Sequence, residues 1–180
     1  HDFGEHLTLT ISKNIEILFS NLREFKGNII IEEGSKITTI SSNLFNRAYF
    51  KSISLPSSIN RIEDSAFSYS QIEKITIPAN VSYWGKSTFE YCSKLASVII
   101  SDGINKIPDG TFIDCTKLES VSIPASIVEI GRGSFYNCAL LNIDVPNNIT
   151  SIEDLAFYNV PHITYHGSAT GSPWGALAIN

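Results

Sequence analysis

Short runs in which apolar and polar residues alternate return along the chain, separated by longer stretches that carry apolar residues at fixed offsets of their own. In Ile53-Ser54-Leu55-Pro56, Ile75-Thr76-Ile77-Pro78, Val121-Ser122-Ile123-Pro124 and Ile143-Asp144-Val145-Pro146 the alternation has period two. That period predicts strands with one buried and one solvent-facing side. Val98-Ile99-Ile100-Ser101 and Ile163-Thr164-Tyr165-His166 are weaker copies. Proline closes four of these runs, and because it removes a ladder donor, pairing should stop there and the chain should turn.

Between the runs stand Phe45, Phe67, Phe89, Phe112, Phe135 and Phe157, at intervals of 22, 22, 23, 23 and 22 residues. Eight residues before them come Ile37, Ile59, Val81, Ile104, Ile127 and Ile149, and five before them Ile40, Ile62, Trp84, Ile107, Ile130 and Ile152. Three residues after each phenylalanine the side chain is Ala48, Ser70, Cys92, Cys115, Cys138 or Val160, mostly small groups suited to tight space between units. These columns, with the phenylalanines, are the predicted core. Trp84 shares a column with five isoleucines and is expected to be buried with them. Self-similarity at this period means stacked units, none of which buries its apolar face without a neighbour. Successive strands then pair in parallel, and seven of them would extend a sheet by roughly 30 Å.

The frame resembles the BspA-like leucine-rich repeat, Ile-Pro-x-x-Val-x-x-Ile-Gly-x-x-Ala-Phe-x-x-Cys-x-x-Leu, which Ile123 to Leu140 follows nearly position for position. The resemblance covers residues 29–166 and, less regularly, the segment Gly167 to Ala176. It implies a β-rich, right-handed leucine-rich-repeat solenoid of about six to seven coils, with one parallel sheet and irregular or 3-10 connections on its other sides. Residues 1–28 carry Leu7, Leu9, Ile11, Phe19, Leu22 and Phe25 at suitable spacings but lack the proline and the small-residue column. They are read as an N-terminal cap or degenerate repeat. Residues 167–180 are read as a C-terminal cap, with Trp174 covering the last coil. Caps matter because an open stack exposes apolar edges and unpaired backbone.

Composition narrows the function. A net charge of -5 without a basic cluster argues against nucleic acid. No apolar run approaches the ~20 residues that span a bilayer. The chain begins His1-Asp2-Phe3-Gly4-Glu5, without the basic start and apolar stretch of a secretory signal, and contains no methionine, as expected of a processed or excised fragment. Cys92, Cys115 and Cys138 invite a metal or disulfide reading, but they occupy the slot that Ala48 and Ser70 fill elsewhere, so they are expected to be free structural thiols. Their parallel Cβ directions suit a disulfide poorly, and paired Cys-x-x-Cys spacing is missing. Glu32-Glu33 and the group Asp102, Asp109 and Asp114 offer oxygens for a weak calcium ion but lack the ordered spacing of a known calcium loop. Glu63-Asp64 and Glu153-Asp154 read as solvated turn residues, about 20 Å apart at strand spacing. His1, His6, His162 and His166 lie outside the central repeats, and no Gly-x-Ser-x-Gly elbow or phosphate loop accompanies them. No enzymatic activity and no cofactor are expected.

Surface remains. The outward strand positions Ser54, Thr76, Ile99, Ser122, Asp144 and Thr164 form one candidate binding face, with Ile99 its apolar exception. Small hydroxyl groups there also serve simply to keep a sheet soluble. Tyr69, Tyr91, Tyr136 and Tyr158, one or two residues after their phenylalanines, form a candidate aromatic stripe or else pack over the turns. Asn80-Val81-Ser82 and Asn148-Ile149-Thr150 are formal glycosylation acceptors. The resemblance implies a monomeric, cell-surface or secreted interaction module of adhesin type, binding a host or cell-surface protein or a glycan. A structural spacer within a larger surface protein is the alternative.

Overall fold

A computed structural model describes residues 7–171, 174–177 and 179. Thr8–Ile11, Asn28–Ile31, Ser52–Ser54, Lys74–Ile77, Ser97–Ile100 and Ser120–Ser122 pair in chain order as one six-stranded parallel sheet. Asn142–Asp144 and His162–Thr164 form a separate parallel pair further along. The first strand pairs residue for residue with the second, Thr8 against Asn28 through Ile11 against Ile31, so residues 8–27 already form a coil. Inward residues of the alternation are buried in most strands, among them Ile29, Ile53, Ile75, Val98, Ile143 and Ile163.

A second, narrow ladder runs along another side of the solenoid, where the sequence predicts irregular connections. Its strands are two residues long: Thr39–Ile40, Arg61–Ile62 and Tyr83–Trp84 in one group, Lys106–Ile107, Glu129–Ile130 and Ser151–Ile152 in the other. Each ends on the isoleucine column, or Trp84 within it, and the residue after it donates backward: Glu63 N–H to Ile40, Gly85 to Ile62, Gly131 to Ile107 and Glu153 to Ile130. At the corresponding position after Ile107 stands Pro108, which has no N–H to give to Trp84. The ladder breaks between Tyr83–Trp84 and Lys106–Ile107. Trp84 is half-buried there, its ring edge-on to Phe112 at 6.3 Å, and its Nε1 has no hydrogen-bond partner.

The third side holds the phenylalanine turns. Residues two before, at, and two after each of the first five phenylalanines donate forward to the next coil, as in Ser65 to Lys86, Phe67 to Thr88 and Tyr69 to Glu90. Each donor and the preceding carbonyl belong to one peptide group, so three columns of peptide dipoles align along the solenoid axis. The backbone achieves this by entering the left-handed region twice per coil, for example at Ser65 (φ 56) and Tyr69 (φ 60). At the first coil the carbonyl end of the middle column, Leu44 O, accepts from the Arg23 guanidinium (2.8 Å), which also donates to the neighbouring turn carbonyl Asn43 O (3.2 Å). Arg23 belongs to the 3-10 helix Ser20–Glu24.

Inside, the six phenylalanines are fully buried and form a continuous pile, with successive ring centroids 5.4, 5.2, 5.7, 5.4 and 5.4 Å apart. Beyond Phe157, Trp174 is buried against Tyr165 (5.6 Å, edge-on), donates Nε1–H to Thr170 O, and accepts the Phe157 N–H at its own carbonyl.

Acidic turn residues tie neighbouring coils together. Asp64 Oδ1 accepts the Lys86 N–H, Asp109 Oδ1 accepts the Arg132 N–H, and Glu63 accepts the Ser42 N–H. The carboxylates of Asp64 and Asp109 sit where the next coil has glycine. A Cβ on Gly131 would lie 2.6 Å from both the backbone N and Oδ1 of Asp109. Gly131→Ala is therefore expected to destabilise the protein by about 1–3 kcal/mol, a change read from the urea midpoint, because backbone has to give way. Gly34→Ala, with nothing within 4 Å of its Cβ, isolates the cost of a positive φ alone.

Candidate interaction surfaces

The wide sheet presents two outward rows. One runs Thr8, Asn28, Ser52, Lys74, Ser97 and Ser120; the other runs Thr10, Ile30, Ser54, Thr76, Ile99 and Ser122. Asp144 and Thr164 sit side by side on the separate pair, so the structure brings together four of the six sequence-predicted face residues and sets the other two apart. Ile99 is 52% exposed. Ile30, 42% exposed in the same row, is a second apolar exception. Its run Ile29-Ile30-Ile31 lacks both the alternation and the closing proline, which is why pattern alone does not phase it. With Ser54 and Thr76 between them, the two isoleucines mark the ends of a shallow trough of about 580 Å³. Three strand spacings separate them, about 14 Å.

The tyrosines form two pairs rather than one stripe. Tyr69 stacks on Tyr91 at 4.7 Å, and Tyr136 on Tyr158 at 4.4 Å. The first pair lies two residues after its phenylalanines and the second pair one residue after, in a different column. Asp114 and Asn137 occupy the first column between them, linked by a 2.5 Å hydrogen bond. Arg47 lies over the Tyr69 ring at 5.5 Å. The carboxylate of Asp114, then the neighbouring Tyr69, hold the Tyr91 phenol above its ordinary pKa.

Cys92, Cys115 and Cys138 are free and buried. Each Sγ–H donates to a phenylalanine carbonyl of the preceding coil at 3.1 Å: Phe67, Phe89 and Phe112 respectively. Burial pushes the Cys92 thiol up to about 12 and raises the other two likewise. These are hydrogen-bond donors to the backbone, not nucleophiles. Several of the acids weighed as metal ligands have partners: Glu33 accepts from Ser57 N–H and Oγ–H, Glu32 from the Lys13 N–H, and Asp109 pairs with Lys86 at 2.8 Å. Among the described residues no three of His, Cys, Asp and Glu gather at metal distance. No helix among them is long and apolar enough to cross a membrane. His162 is exposed beside Asn142, the His166 N–H donates to Asn147, and His1 and His6 lie outside the described residues.

Stacked coils, a parallel strand face and a phenylalanine pile define a leucine-rich-repeat scaffold. Six copies of the BspA type leucine rich repeat region match residues 38–164, and the chain belongs to that family. Its fold is shared by solved leucine-rich repeat proteins. That from Eubacterium ventriosum ATCC 27560 has a TM-score of 0.58 at 16% identity, over 96% of this chain and 56% of its own. That from Bacteroides ovatus ATCC 8483 has 0.54 at 18%, over 98% and 66%. The T. pallidum protein has 0.53 at 21%, over 87% and 63%. The chain thus spans less than two thirds of each of these structures. No curated protein matches the sequence.

Proposed function

We propose that this chain is a non-enzymatic protein-interaction module of a cell-surface or secreted protein, adhesin-like in role, in which residues 29–166 present the binding surface and the flanking segments act as caps. The observation that carries this reading is the pair Ile30 and Ile99, exposed in one row of the wide sheet with only Ser54 and Thr76 between them. An extended face with two apolar anchors and small neutral groups between them suits a protein partner; it offers no charge cluster for a polyanion. Family membership supports the interaction role. The family resemblance supports host contact and surface location.

The purified chain is to be screened against extracellular-matrix proteins and a glycan array, with Ile30→Asp and Ile99→Asp alongside. Saturable binding to a protein, weakened at least tenfold by either substitution at unchanged melting temperature, is the expected result. Exposed positions of this kind shift stability by only about 0.5 kcal/mol, whereas an interface anchor is worth about 1–2 kcal/mol or more. Binding indifferent to both substitutions would remove the strand face from consideration. The spacer reading draws on the hydroxyl groups of Ser52, Ser54, Thr76, Ser97, Ser120 and Ser122 that make up the rest of the face, and a uniformly negative screen would favour it.

A further inference from the structure

The turn side of the solenoid carries a depression that owes nothing to the strand face. Two residues before each phenylalanine the chain has Asn43, Ser65, Ser87, Gly110, Gly133 and Leu155, all at positive φ. Only Gly110 and Gly133 lack a side chain, and they lie in adjacent coils, joined by the backbone bonds from Gly110 N–H to Arg132 O and from Phe112 N–H to Ser134 O. Over these two coils lies a cavity of about 290 Å³, with both glycines buried beneath it. Ser87 and Leu155 close its two ends along the column.

The lining of this cavity is apolar for a reason visible in the repeat. One residue after the phenylalanines, the first three coils carry Asn46, Ser68 and Glu90, and the next three carry Ile113, Tyr136 and Tyr158. Ile113 fills the space beside the glycines: its Cδ1 lies 3.1 Å from where a Cβ on Gly110 would stand and 3.9 Å from that on Gly133. Tyr136, stacked on Tyr158, forms the adjoining wall. On the rim, Lys86 and Asp109 neutralise each other. Arg132 also lines the rim, is exposed, and has no carboxylate partner among the described residues.

We propose that this depression is a binding site for the apolar C-terminal residue of a peptide, whose side chain rests over Gly133 against Ile113 while its carboxylate meets Arg132. A volume at the lower limit of ligand pockets holds one side chain. Arg132 directly precedes Gly133, so the charge it meets belongs to the residue that fills the depression, which an α-carboxylate satisfies. A planar guanidinium and a carboxylate form the best-matched such pair. Leucine or phenylalanine provides the apolar part.

The probe is N-acetylphenylalanine, titrated into isotopically labelled protein and followed by NMR. Its neutral counterpart N-acetylphenylalaninamide is titrated in parallel. Saturable shifts are expected at the Ile113 methyls and at the Gly110 and Gly133 amides, with affinity for the amide at least tenfold lower. Arg132→Gln should bring the acid down to the level of the amide. Gly133→Asn should abolish both responses: asparagine already occupies this φ at Asn43, and a Cβ on Gly133 meets nothing closer than 3.8 Å, so the fold is retained and the cavity filled. Acid and amide of equal affinity would overturn the proposal, as would shifts that survive Gly133→Asn or that appear only at Ile30 and Ile99. Tighter binding of an amidated acetyl-Leu-Glu peptide would make an internal acidic segment the occupant and would also overturn it. Because the strand-face methyls are read in the same spectra, failure here is separable from failure of the strand-face reading.

Discussion

Truncating Phe112 to alanine is expected to remove about 3–5 kcal/mol of stability, the cost of emptying a large aromatic site in a packed core. The ring is fully buried, lies between Phe89 at 5.7 Å and Phe135 at 5.4 Å, and supports Trp84 edge-on. Its loss therefore weakens two coil–coil contacts at once. Small domains hold only about 5–15 kcal/mol in total, so the variant approaches the unfolding threshold. In a stack where each unit touches only its neighbours, a weak middle also separates the two halves. Urea titration followed at Trp84 and at Trp174, one in each half, reads this directly: coincident transitions in the parent chain, and two midpoints in Phe112→Ala. Phe157→Ala, with Phe135 its one phenylalanine neighbour in the pile, should cost less. A loss below about 1 kcal/mol at Phe112 would show that the pile is not the main support of the stack.

Alkaline solution should unfold the protein early. The three thiols have folded-state pKa values above their unfolded value of about 8.5. Below that value both states hold the protons and stability is intact. Above it the unfolded chain releases protons that the folded chain keeps, so stability falls as pH rises, for Cys92 until the folded thiol ionises near 12. With all three thiols contributing, the slope reaches about 4 kcal/mol per pH unit above roughly pH 9.5. Urea midpoints measured in reducing buffer between pH 8 and 10.5 test this. The triple variant Cys92→Ser, Cys115→Ser, Cys138→Ser should lose most of that dependence, since serine does not ionise and Ser70 already fills the equivalent slot. An unchanged slope in the variant would place the alkaline sensitivity elsewhere.

The sequence pattern states the coil and its core because burial repeats with a fixed period: each of the six repeat phenylalanines, and every isoleucine five residues before one, is buried as predicted. The narrow ladder was harder to see, since two-residue strands leave no alternation to read. Its break was written in Pro108, whose missing donor means something only once the neighbouring coil is known to need one. Trp84 looked like a larger isoleucine, whereas its half-exposed ring sits at that break. Among the candidate surface residues, Ile99 could be named because its neighbours alternate, while Ile30 is hidden in an unbroken isoleucine run. The tyrosines could be listed but not grouped, because one residue of offset decides which rings stack. The glycine depression was invisible for a simpler reason: a missing side chain leaves no signal until its neighbours in adjacent coils are known.

The three columns of forward-pointing peptide groups give this rod an electrical direction. Carbonyl ends gather at one terminus, where the cationic Arg23 answers the middle one, and N–H ends gather at the other, where Trp174 offers a carbonyl to the middle column. A twofold end-to-end pairing of two such rods would bring like poles together. Extension by further coils keeps every dipole in line and adds to the polarity of the whole. Growth of this architecture is therefore vectorial, like-to-unlike at each junction, and such a heterologous series stays open unless the rotation from unit to unit closes it into a ring.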